Sequence, residues 1–106
     1  MTRTIFRNLI LAAALLLSLG VQAQAEEIKV TIDNFTFSPA ELKAKVGDTV
    51  TWTNHDDIPH TVVSAGKFRS KTMDTDGSFS FTFTAAGEYK YFCSLHPHMT
   101  GTVKVE

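Results

Sequence analysis

Hydrophobic and polar residues alternate in short runs along most of the chain. In the first run Ile28, Val30 and Ile32 fall on one face, with polar residues between them. The same alternation recurs at 42–46, 49–53, 61–64, 78–84, 88–91 and 103–105. A period of two is typical of strands that bury one face. About seven short strands are therefore predicted.

Turn residues separate these runs, and apolar stripes with the helical period do not occur. Many short strands divided by turn signals are typical of a β-sandwich. We therefore predict an all-β, antiparallel sandwich in which 67–77 is the irregular stretch. The residues expected in its core include Trp52, Met73, Phe79, Phe81 and Phe83.

The first 25 residues differ in kind from the rest. Two arginines and no acid precede an apolar run at 9–19, and small residues follow up to Ala25. This order is typical of a cleavable secretory signal, and the run is shorter than the ~20 residues that span a bilayer. We expect residues 1–25 to be removed. The mature domain, 26–106, is then periplasmic or otherwise exported and has no integral membrane segment.

Charge and cysteine content exclude several classes of protein. Lys and Arg number 10 against 11 Asp and Glu, with no basic tract, which argues against nucleic-acid binding. The single cysteine rules out an internal disulfide framework. A domain this small has a limited core, so a bound metal would help to stabilise it.

The strongest chemical signal is a cluster of metal-binding residue types near the C-terminus. Cys93, His96, His98 and Met99 lie within seven residues. Taken alone, Cys93 could equally be a buried structural cysteine. However, a thiolate with two imidazoles and a distant thioether is the ligand set of a blue-copper site.

A second histidine for such a site has to come from elsewhere in the chain. The candidates are His55 and His60. His60 directly precedes the apolar run 61–63 and so lies at the end of a strand, whereas His55 lies in a polar loop. Position therefore favours His60.

Four segments resemble those of the cupredoxins, within the plastocyanin-like group. They are NFTFSP at 34–39, VGDTVTWTN at 46–54, PHTV at 59–62 and GEYKYFCSLHPHMTG at 87–101. The short Cys-x-x-His-x-x-Met loop is most similar to that of the amicyanins. The resemblance implies a Greek-key β-sandwich that binds one copper ion. The implied copper ligands are His60, Cys93, His96 and Met99.

The cupredoxins also use a Cys-x4-His spacing, which would select His98 in place of His96. We favour His96, because two residues then separate it from Met99 and the loop can curl round one ion. His98 stands where amicyanin-like loops carry Phe. It is expected, with Pro97, to form a docking surface that is more polar than theirs.

Two further residues are expected to support the ligands. Thr61 stands where many family members carry Asn, and its backbone N–H is expected to lie beside the cysteine sulfur. Asn54 is a second candidate for supporting the ligands, although an Asn that simply caps its loop is an equal alternative.

The resemblance implies a one-electron carrier that acts as a monomer between redox partner proteins. An enzyme is not expected, because copper oxidases and nitrite reductases need additional copper sites. The alternative is a copper-binding module for copper buffering or delivery, with His55 and His98 as auxiliary contacts.

Overall fold

A computed structural model describes residues 24–106, which contain strands and no helix. The strands are β1 (Glu27–Asp33), β2 (Thr36–Ser38), β3 (Glu41–Ala44), β4 (Thr49–Asn54), β5 (Val63–Ser64), β6 (Phe68–Arg69), β7 (Ser78–Thr82), β8 (Gly87–Cys93) and β9 (His96–Val105). Over this range no helix has the length and apolar character needed to cross a membrane. Of the predicted signal, 1–23 lie outside the described residues.

The strands form two sheets that pack as a sandwich. One sheet has the order β2-β1-β4-β7, and the other has the order β3-β9-β8-β5-β6. The predicted all-β sandwich is therefore confirmed. The predicted antiparallel arrangement is wrong in part, because β1 pairs with β4 and β3 pairs with β9 in parallel. Alternation shows which face of a strand is buried, but it does not reveal the direction of the neighbouring strand.

The prediction of about seven strands omitted two short ones. β2 and β6 contain only three and two residues, which are too few to show an alternating pattern. β6 lies within the stretch 67–77 that was predicted to be irregular. Conversely, β3 ends at Ala44, so Val46 lies beyond it and is exposed.

The core lies between the sheets around Trp52, which is fully buried. Its ring stacks on Phe79 at 5.8 Å and meets Tyr91 edge-on at 5.3 Å. Met73 and Phe83 are buried as predicted. Phe79 and Phe81 are only half-buried, because their strand, β7, lies at the edge of its sheet.

A close contact between Tyr91 and Gly101 fixes the position of β8 against β9. The two residues are paired across the strands, and the Tyr91 ring covers Gly101. A Cβ atom at Gly101 would overlap the Tyr91 ring, so a side chain there would displace the ring. This contact lies two residues before Cys93 and thereby helps to position that thiol.

A buried carboxylate, Asp48, joins three segments just before β4 begins. Its Oδ1 accepts a hydrogen bond from Glu26 N at 2.8 Å, and its Oδ2 accepts one from Lys45 N at 2.8 Å. These backbone donors, Glu26 first, lower the pKa of Asp48 below its usual value of 3.8. The ionised carboxylate therefore stabilises the fold.

We expect Asp48→Asn to lower the free energy of unfolding at neutral pH. Because the pKa is lowered in the folded state, the carboxylate stabilises the protein above pH 3.8 and loses this effect as pH falls through the folded pKa. Denaturant unfolding from pH 7 down to about pH 2 should show the two proteins converging at the acid end. A difference that stays constant over this range would contradict an ionic role for Asp48.

Candidate metal centre

Three metal-binding side chains meet at one end of the sandwich. His60 comes from the loop between β4 and β5, Cys93 ends β8, and His96 begins β9. One ligand atom from each lies within 4.8 Å of the other two. Cys93 Sγ lies 3.7 Å from His60 Nδ1 and 3.6 Å from His96 Nδ1. The structure therefore brings together three of the four residues predicted as ligands and turns Nδ1 of each imidazole towards the thiol.

The hairpin between β8 and β9 places Cys93 and His96 side by side. Tyr91 and Cys93 share the buried face of β8, so the sulfur points into the sandwich. A two-residue turn follows, and His96 then pairs with Cys93. Alternation along a strand thus places the thiol inside, and the tight turn returns an imidazole to it.

The same hairpin directs Met99 inward. Phe92 pairs with Thr100 whereas Cys93 pairs with His96, so a bulge on β9 takes up residues 97–99. Met99 is buried and belongs to the same core cluster as Cys93, whereas Pro97 and His98 are exposed. The fourth predicted ligand therefore lies on the inner side of the bulge.

His60 is fully buried and held from two sides. Its backbone bonds to Met73 in both directions, with N···O distances of 3.2 and 2.9 Å. Its Nε2 lies 2.8 Å from Asp56 Oδ2. Its Nε2–H can donate to this carboxylate while Nδ1 faces Cys93. A metal that displaces the proton held between Nδ1 and the sulfur would bind the lone pair of Nδ1.

The surroundings of Cys93 favour its thiolate. Burial alone would raise the pKa of the thiol, but hydrogen bonds from Thr61 N and from the His60 and His96 rings outweigh it. Together with the Leu95 backbone, they lower the pKa to about 6. The thiol is therefore largely ionised at neutral pH, and the thiolate is the form that binds metals.

Thr61 ties the two ligand loops together. Its backbone N lies 3.4 Å from Cys93 Sγ. Its hydroxyl oxygen lies 2.8 Å from both the backbone N and the hydroxyl oxygen of Ser94. The short side chain thus connects the His60 loop to the residue that follows the thiol.

Asn54 is fully buried and shapes the loop that leads to His60. Its side-chain nitrogen donates to Ile58 O at 2.9 Å and to Met73 O at 3.0 Å. Its side-chain oxygen accepts from Asp56 N at 2.9 Å. Because Met73 pairs with His60, these bonds organise the ligand loop from within.

His55 and His98, the other two histidines, lie outside this cluster. Both are exposed, and among residues 24–106 only His60, Cys93 and His96 form a metal-binding group of His, Cys, Asp or Glu. The structure therefore brings His60 and His96, and not His55 or His98, beside Cys93.

Two residues of the site, Asp56 and Phe35, were not predicted from the sequence. Asp56 lies in the same polar loop as His55, although its position four residues before His60 could have suggested a carboxylate that orients the ring. The Phe35 ring packs edge-on against both imidazoles. No pattern in the sequence indicates that contact, because a turn distant in sequence supplies it.

The donor set fits copper. A low-pKa thiolate and two imidazole nitrogens lie close enough together to surround one ion. Soft thiolate and imidazole ligands with a weak thioether suit copper in both of its oxidation states, whereas carboxylate and carbonyl oxygens would suit magnesium or calcium. The inward side chain of Met99 could supply the thioether.

Comparison with known proteins places this site in a family. The model of the cupredoxin-like domain matches residues 7–105. The chain is 40% identical to an amicyanin of Paracoccus denitrificans over 85 residues, which cover 74% of this chain but only 65% of the relative. It is also 33% identical to a chloroplastic plastocyanin of Tetradesmus obliquus, with 84% of this chain and 72% of the relative covered.

Solved structures agree with these matches. An oxidised amicyanin variant and the Cu(I) form of another each align with a TM-score of 0.73 and 40% identity. Both alignments cover 82% of this chain and 88% of the solved one. With the fold, the His–Cys–His cluster and the family match in agreement, the chain belongs to the cupredoxin-like family.

Proposed function

We propose that the protein is a blue-copper, one-electron carrier and not an enzyme. One copper ion is held by His60, Cys93 and His96, with Met99 as a weak fourth ligand. The observation that carries this proposal is that three ligand atoms, one of them a low-pKa thiol, lie within 4.8 Å of one another. When bound, copper supplies the Cu(I)/Cu(II) couple.

The protein limits the movement of the ligands and excludes water from them. Cys93 and His60 are fully buried, so water is kept from the thiolate and from one imidazole. Hydrogen bonds from Thr61 N to the sulfur and from His60 Nε2 to Asp56 limit the movement of both ligands. A site that changes little between two charge states suits repeated one-electron exchange, because reorganisation of the ligands opposes transfer.

We propose that redox partner proteins dock around His96. This imidazole is half-buried, whereas His60 is enclosed, so His96 lies closer to the surface. Exposed apolar side chains occur on the two ligand loops, with Ile58 41% and Leu95 50% exposed. Pro97 and His98 are exposed next to them, and His98 adds a polar group to this surface.

The alternative, copper buffering or delivery, needs contacts that could pass the ion on. His55 and His98 were the candidates, and both lie outside the cluster. Amicyanin structures that resemble this chain include oxidised, reduced and Cu(I) forms. These similarities favour the carrier.

We further propose that residues 1–25 are a removed signal and that the domain acts in the periplasm or elsewhere outside the cytoplasm. The order of basic, apolar and small residues supports removal. The position of Glu26 supports the same boundary, because its backbone N lies 2.8 Å from Asp48 Oδ1. Cleavage would turn this amide into an ammonium group that faces an ionised carboxylate.

Copper binding can be tested by titrating the purified mature protein with Cu(II) and recording its visible spectrum. We expect one equivalent to produce an intense blue thiolate-to-copper band, which Cys93→Ala abolishes and His96→Ala largely removes. His98→Ala is the matched control, a neighbouring imidazole that should leave the band unchanged. Intense blue colour in Cys93→Ala would overturn the proposed ligand set. Loss of colour in His98→Ala but not in His96→Ala would show that His98, and not His96, is the copper ligand.

The signal boundary predicts a difference in stability between two forms of the protein. A chain that begins at Glu26 should melt at a higher temperature than one that begins at Gln24, because only the former has an ammonium group facing Asp48. In an Asp48→Asn background the two forms should melt alike. Equal melting temperatures with Asp48 intact would contradict the proposed contact.

A further inference from the structure

Phe35 contacts both proposed histidine ligands. Its ring centroid lies 5.3 Å from that of His60 and 5.0 Å from that of His96, with an interplanar angle of 89° in each case. The two imidazoles are themselves 5.0 Å apart. The three rings therefore form a triangle, and edge-to-face packing of this kind is attractive and directional.

The backbone places Phe35 at an unusual position. Asn34 and Phe35 form the turn between β1 and β2, with φ angles of 51° and 57°. Asn tolerates this left-handed region, but a bulky aromatic residue rarely adopts it. Glycine or Asn would satisfy such a turn more readily, so the turn alone does not account for an aromatic residue here.

The carboxylate of Asp56 holds the turn and orients His60 at the same time. Its Oδ1 accepts from Asn34 N at 2.6 Å, and its Oδ2 accepts from Phe35 N at 2.9 Å. The same Oδ2 lies 2.8 Å from His60 Nε2. Movement of the turn is therefore coupled to the orientation of a buried ligand.

His96 has less polar support than His60. Within residues 24–106 the structure gives its ring one hydrogen-bonding partner, Cys93 Sγ at 3.6 Å, whereas His60 also has a carboxylate. His96 is half-buried, so water competes for its free edge. Besides the ring contact with His60 and the shared Cys93 sulfur, packing against Phe35 ties the His96 ring to the network of Asp56 and His60.

We propose that Phe35, held by Asp56, is a positioning residue that orients both imidazoles before copper binds. The proposal rests on the copper site proposed above and adds a residue that never touches the metal. Side chains that are already ordered lose less conformational entropy when they bind the ion, so Phe35 is expected to increase the affinity for copper. A residue that served only to dock a partner would leave copper affinity unchanged.

Three variants separate positioning from general stability. Phe35→Asn removes the ring but tolerates the left-handed backbone. Phe35→Tyr keeps the aromatic ring and should retain the copper affinity of the unmodified protein. Val46→Asn is the matched control, since it removes an apolar side chain that is 50% exposed, against 39% for Phe35, outside the ligand loops.

Two measurements are made on each protein: the dissociation constant for Cu(I) by competition with a chromophoric chelator, and urea unfolding of the apo form. Because Phe35→Asn loses two edge-to-face contacts, its dissociation constant for Cu(I) should be about tenfold higher than that of the unmodified protein. Phe35→Tyr and Val46→Asn should bind copper as the unmodified protein does. The apo form of Phe35→Asn should unfold near the same urea concentration as Val46→Asn.

A third measurement needs no metal. In NMR spectra of the apo protein, the ring protons of His60 and His96 should shift in Phe35→Asn, because they lose the ring current of Phe35, and those of His96 should broaden. Phe35→Tyr should keep both sets of signals near their original positions. If Phe35→Asn does not fold, Phe35→Gly takes its place, because glycine also tolerates the left-handed backbone, and its copper binding should weaken in the same direction.

The outcomes separate this inference from the function on which it rests. If the unmodified protein binds Cu(I) but Phe35→Asn binds it equally well, with unchanged histidine signals, Phe35 has no positioning role and the copper site stands. Equal weakening by Phe35→Tyr and Phe35→Asn would likewise exclude a role for the aromatic edge. Failure of the unmodified protein to bind copper would overturn both proposals.

Discussion

Stabilising a thiolate at a fully buried position is the constraint around which the rest of the site is built. Cys93 is 0% exposed, and burial alone would favour the neutral thiol. Donors from Thr61, His60 and His96 reverse that preference and lower the pKa to about 6. The groups that stabilise the negative sulfur include the two imidazoles proposed to share its metal. The arrangement that favours the thiolate is thus also the arrangement that binds copper.

The donors stay in place because hydrogen bonds join segments that are far apart in the chain. Thr61 bonds to Ser94 and links the His60 loop to the β8–β9 hairpin. Asp56 links the β1–β2 turn to His60, and Asn54 fixes the loop between them. Each of these polar groups has its partners inside the network, so burying them costs little. The ligands lie at or next to the strand ends of the sandwich, and these hydrogen bonds fix the segments that carry them.

The sequence predicted much of this arrangement because the relevant signals are local. Alternation along β8 placed Cys93 on the buried face, and the spacing of the C-terminal cluster brought His96 back beside it. The directions of β1 and β3 relative to their neighbours could not be predicted, because parallel pairing depends on the path of the chain between distant strands. Phe35 could not be predicted for the same reason, because its contacts with Asp56 and with the two imidazoles span more than twenty residues of sequence. Asp56 bonds to His60 only four residues away, but its bonds to the β1–β2 turn span more than twenty.

Crystal structures of the apo, Cu(I) and Cu(II) forms would show whether the fold positions the ligands before copper arrives. We expect copper at His60, Cys93 and His96, with these side chains displaced by no more than about 0.5 Å among the three forms. Met99 should approach the ion from the core side. Copper bound through His98 would contradict the ligand set, and a large rotation of His60 or His96 on binding would contradict their preorganisation.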